Sequence, residues 1–183
     1  MTSPVIGGSV GRRWPALAGI AFAALVSIGM ANGVDQAPVL AAAAMVYIGS
    51  AALRRPAAAW PLFLASVVVI TGAKFLGVDA TLIVLGCGAA LGLYGLLRGA
   101  VRPGHGLPLQ TVALLGFGAV AAIALFVDTD LGAYLVAAGL LAHSAWDLHH
   151  FRTNRVVARS LAEFCLLLDA SLAVLIIVVT IAS

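Results

Sequence analysis

Charge is the scarcest commodity in this sequence. Of 183 residues, 9% are Asp, Glu, Lys or Arg, and 63% are hydrophobic. A soluble domain carries roughly 25% charged residues. There is too little polar surface here to cover a water-soluble globule, a disordered chain or a nucleic-acid binder. Cysteine is nearly absent too. The two present, Cys87 and Cys165, each lie inside an apolar run, which excludes a disulfide-stapled secreted scaffold. Lysine occurs once, as Lys74, and aromatic residues make up 7%. This Ala-rich, Lys-poor usage resembles that of high-GC bacteria.

What remains is long apolar runs. A membrane span needs roughly 20 mostly apolar residues. Seven runs qualify, at about 14–31, 37–53, 59–77, 80–97, 109–127, 130–150 and 160–182. They use most of the chain and leave no room for a soluble domain. Runs such as Val67–Ile70 and Leu172–Val179 do not alternate, so they read as helices and not as barrel strands. The expected fold is therefore all-α. It is a single integral membrane domain over 1–183, a polytopic bundle of seven transmembrane helices whose partner is the lipid bilayer.

The few charges then sort by loop. Arg12, Arg13, Arg54, Arg55, Arg98, Arg102, Arg152, Arg155 and Arg159 fall before span 1 and in every second loop. Asp35, Asp79, Asp128 and Asp130 occupy the alternate loops, with no Arg or Lys. The positive-inside rule gives a cytoplasmic N-terminus, an external C-terminus and a multi-pass protein of the inner (plasma) membrane. The net charge of +3 becomes an orientation signal that requires no acidic partner. Span 1, with Arg12-Arg13 ahead of it and Gly29-x-Ala31 behind, also fits a cleavable signal peptide. An internal repeat argues for keeping it.

That repeat reads Gly-Val-Asp at 33–35 and again at 77–79, each Asp followed 19 residues later by Leu-Arg, at Arg54 and Arg98. Phe126-Val127-Asp128 opens a more diverged third copy. The architecture is expected to be three helical hairpins plus one helix. On span 4, Gly88, Gly92, Gly95 and Gly99 form a smooth stripe for close helix approach. It suits packing within the chain, or a face for a second copy or another membrane protein. Lys74, near the outer end of span 3, is placed to snorkel outward and pair with Asp79, or with Asp35 or Asp128.

The third hairpin breaks the pattern. Where the first two end in Leu-Arg, span 6 carries His143, Trp146, Asp147, His149 and His150. His143, Asp147 and His150 are spaced i, i+4, i+7 and share one stripe of a helix. On span 7, Cys165 and Asp169 share a face, with Glu163 on another. Antiparallel geometry sets His143 against Asp169, Asp147 against Cys165, and His149 against Glu163, all toward the cytoplasmic ends of the two helices. Asp169 bears the greatest cost of insertion and needs a partner, for which His143 is the natural choice.

Three uses suit this cluster. Its first is structural, lipid-headgroup, partner or metal binding, with His143, Asp147, His150 and Asp169 around a divalent ion such as zinc. An open ligand position would extend this to a metal-dependent membrane hydrolase acting on a lipid-like substrate. The third is a small proton-coupled transporter, since imidazole exchanges protons near neutrality. Ser144 adjoins His143 but points about 100° away, so no Ser-His-Asp triad forms.

The pattern H-x-x-W-D-x-H-H from His143, followed by E-x-C-x-x-x-D from Glu163, resembles a hairpin of small, uncharacterised bacterial multi-pass membrane proteins, and the resemblance implies no activity. The seven-span count with His and Asp also resembles alkaline-ceramidase-like membrane hydrolases. Their Ser-x-x-x-His and His-x-x-x-His patterns are absent here.

Overall fold

The computed structural model describes residues 13–182, so Arg12 of the first basic pair lies outside the described residues. Seven α-helices follow one another: α1 (Trp14–Val26), α2 (Ala37–Ala52), α3 (Ala59–Phe75), α4 (Thr81–Leu97), α5 (Leu107–Ala124), α6 (Thr129–Thr153) and α7 (Arg159–Ala182). Short 3-10 turns, Gly33–Gln36 and Pro56–Ala58, lead into α2 and α3. No strand occurs among the described residues.

The helices coincide with the seven apolar runs to within a few residues, except that α1 ends at Val26, five residues early. Five elements are long and apolar enough to cross a membrane: α2 and α3 with their leading turns, α5, α6 and α7. The 13 residues of α1 and the 17 of α4 reach about 20 and 26 Å, short of a hydrocarbon core of about 30 Å. The described residues thus form an all-α bundle, five of whose helical elements are long and apolar enough to cross a membrane. Large apolar side chains such as Leu64, Val68, Leu115 and Val178 face outward, as lipid contact requires.

Helix starts follow from local chemistry. Pro15, Pro38 and Pro108 stand in the first turns of α1, α2 and α5, where no backbone donor is needed. The loop aspartates cap. Asp35 accepts the backbone N–H of Ala31 and Asn32 in a capping box before α2. Asp79 accepts from Thr81 at the start of α4, and Asp128 from Asp130 and Leu131 at the start of α6. In all three recurring segments the carboxylate accepts backbone N–H groups near a helix start, Asp79 and Asp128 directly at α4 and α6, and Asp35 at the 3-10 turn before α2.

The packing is not that of three adjacent hairpins. α2 sits in the middle, buried along almost its whole length, against α4, α5, α6 and α3. α1 lies on α7, the helix farthest from it in sequence. A Cβ on Gly19 would come 2.3 Å from the Phe164 carbonyl oxygen, so only glycine permits this crossing. Trp14 stacks on Trp60 at 5.8 Å, and Phe63 and Phe164 complete an aromatic seam joining α1, α3 and α7. The glycine stripe of α4 is turned inward. Cβ atoms at Gly88, Gly92 and Gly95 would meet Leu114, Ile48 and Ala52, so the close approach is to α2 and α5 of the same chain. Gly99 stands apart, ending the helix with φ of 67°.

Candidate functional site

Polar side chains in the core are few, and most converge where α2, α5, α6 and α7 meet. His143 and Asp147 lie one turn apart on α6, so both face α7. His143 Nδ1 is 2.9 Å from Asp169 Oδ2 and 3.3 Å from Asp147 Oδ2. The Tyr47 hydroxyl on α2 donates to Asp147 Oδ1 at 2.6 Å. All of these side chains are buried. The imidazole meets the rings of Tyr47 and Phe117 edge-on, at 5.3 and 4.9 Å.

His143 lies ten residues before the end of α6, and Asp169 ten residues after the start of α7. Both are about 15 Å from the arginine-bearing end. The cluster is therefore deeper than the expected position at the helix ends, near the midpoint of each helix.

Hydrogen bonding within the cluster is incomplete. The Nδ1 position offers at most one proton to two carboxylates. His143 Nε2, Asp147 Oδ2 and Asp169 Oδ1 are buried with no hydrogen-bond partner among the described residues. An unmet buried polar group costs about 1–3 kcal/mol, more when charged. Two carboxylates and one imidazole also leave negative charge uncompensated unless a proton or a cation joins them. One donor atom from each of His143, Asp147 and Asp169 lies within 4.8 Å of the others. Zinc ligands at 2.0–2.2 Å from the ion stand roughly 3.3–3.6 Å apart. The chemistry of the donors fits a divalent ion, around which side chains already within 4.8 Å would draw in to that spacing, and Tyr47 would orient one of the carboxylates.

His150 does not join this group. Its Nδ1–H donates to the Trp146 carbonyl at 2.9 Å, and its Nε2 accepts from Gln110 at 3.3 Å. Gln110 also donates to the His105 carbonyl and accepts from the Trp146 indole. Both nitrogens of His150 are thereby committed, and the expected ligand set contracts to three residues. Trp146 is likewise occupied by Gln110. Glu163 pairs with Arg13 at 3.1 Å and not with His149, which is exposed. Cys165 is a buried free thiol one turn from Asp169. The expected pair of Lys74 and Asp79 is not formed. Asp79 serves the α4 terminus, and Lys74 instead borders a cleft of about 590 Å³ shared with Asp35 and Gln36.

Tyr47, Gln110 and Phe117 are the site residues that spacing did not reveal. A hydroxyl in the middle of an Ala-rich span and an amide at a span entrance are the signals that could have found the first two. Neither a protein family, nor a curated protein, nor a solved structure matches the chain, so the residues themselves carry the functional reading.

Proposed function

We propose that the chain is a seven-span inner-membrane protein, N-terminus inside and C-terminus outside, that holds a divalent metal ion such as zinc in its core through His143, Asp147 and Asp169. The observation that carries this reading is the convergence of three buried donor groups within 4.8 Å, each with a polar atom lacking a partner. A doubly charged cation balances the two carboxylates beside a neutral imidazole and gives the orphaned atoms something to bind. The ion would tie α6 to α7, and through Tyr47 both to α2.

Elemental analysis of protein purified in detergent without chelator tests this. About one divalent ion per chain is expected in the wild type. Asp147→Asn combined with Asp169→Asn should reduce it at least tenfold. A folded, monodisperse wild type without bound metal would falsify the proposal, and the cluster would then be a proton-sharing network.

The other two uses have less support. A hydrolase needs an entry route for substrate, and His143, Asp147 and Asp169 are all buried. A transport path toward the aspartate-bearing end would run past Val136, Ala137, Leu140, Leu172 and Ile176, which are apolar and buried.

A further inference from the structure

The arginine-bearing end of the bundle has almost no counter-charge. Eight arginines are described there, and Glu163, which Arg13 holds, is the one acid among the described residues at that end. Three of the arginines are gathered by two separate loops. Arg54 and Arg55 from the α2–α3 loop, with Arg102 and His105 from the α4–α5 loop, line a cavity of about 230 Å³. None of its lining residues is acidic, and Val156 of the α6–α7 turn closes one wall.

The surroundings hold this wall in place. Arg54 and Val156 have φ of 51° and 69°, the left-handed region that a β-branched residue rarely enters. The Ala158 N–H donates to the Pro56 carbonyl and the Arg55 N–H to that of Ser50, so two of the loops are knotted together beside the cavity. Arg54 spends one donor on the Gly99 carbonyl. Arg55 and Arg102 make no ion pair among the described residues.

Like charges held around a small cavity repel, and an anion with several oxygens relieves that repulsion through forked guanidinium hydrogen bonds. We propose that this cavity is a binding site for a phosphate group, carried by a membrane lipid or by a soluble molecule. Basic pockets between membrane helices are suited to headgroup phosphates.

The positive-inside pattern alone would attract anions too, but diffusely and in proportion to total charge. A matched pair of variants separates the two cases. Arg55→Gln with Arg102→Gln removes two lining charges and leaves the Arg54 contact to the Gly99 carbonyl in place. Arg152→Gln with Arg155→Gln removes two charges outside the cavity. Binding is read in phosphatidylcholine nanodiscs. Inorganic phosphate is titrated by thermal shift, and retention of phosphatidic acid is followed by native mass spectrometry. Saturable binding is expected, at least tenfold weaker in the lining variant and within twofold of wild type in the other. Response to inorganic phosphate assigns a soluble source, and retention of phosphatidic acid alone assigns a lipid. Equal loss in both variants, or no saturable binding of either probe, overturns the site.

Discussion

At the scale of single residues, the two histidines of the core differ in what their nitrogens do. His150 has a defined donor and a defined acceptor role, and its network is closed by Gln110 and Trp146. His143 faces two carboxylates with one proton and has a second nitrogen that meets nothing. Substitution should separate them. His150→Gln is expected to lower the unfolding midpoint while leaving bound metal near wild type, and His143→Ala should lose the ion. If His150→Gln empties the site as thoroughly as His143→Ala, the three-residue ligand set is wrong. Tyr47→Phe keeps the ring but strips Asp147 of its donor. It should cost about 1–3 kcal/mol, measured by denaturant or thermal unfolding in detergent. His143, Asp147 and Asp169 were legible because helical spacing and antiparallel pairing need only two neighbouring spans. Tyr47 was not, because its role depends on where a helix nearly a hundred residues away is packed. The commitment of His150 to a backbone carbonyl and an amide was equally hidden, since periodicity reports a face and not a bond.

Among the helices, the loop aspartates carry a second message. Their placement opposite the arginines is what the expected orientation requires, yet Asp128 also caps α6, Asp79 accepts from the first residue of α4, and Asp35 closes the capping box of the 3-10 turn that leads into α2. Asp128→Ala is expected to cost roughly 0.5–2 kcal/mol through the lost cap, read as a lower unfolding midpoint. Asp130→Ala, which leaves the Asp128 carboxylate in place, should have a smaller effect. Gly19 offers a sharper probe. Any side chain there collides with the backbone of α7, so Gly19→Leu should detach α1 and lower the midpoint markedly. A wild-type midpoint in Gly19→Leu would mean that α1 does not rest on α7. Helix positions were legible from composition because backbone polar groups in long apolar runs leave no alternative to helices. The partner of each helix was not. Ala-rich faces fit one another in many combinations, and the first expected hairpin opens as α1 takes the glycine crossing on α7.

For the molecule as a whole, the proposed orientation can be checked apart from the site. With the C-terminus outside, a phosphatase reporter fused there should be active and a fluorescent protein dark. The reverse result would invert the topology while leaving the cluster intact. Cys87 is exposed on the bundle surface and Cys165 is buried. A maleimide that enters detergent should therefore label the first rapidly and the second only on unfolding. The seating of α1 on α7 also bears on biosynthesis. During synthesis, more than a hundred residues must follow α1 before α7 is made, a delay on the order of ten seconds at about 5–20 residues per second. Throughout that interval the first helix lacks its main seat and keeps only its aromatic contacts to α3, and the cluster, whose last acid is Asp169, is incomplete. Assembly of this bundle is thus a closing step performed by its final described helix, and a nascent chain stalled before it would present a flawless set of spans with neither its outer seam nor its centre formed.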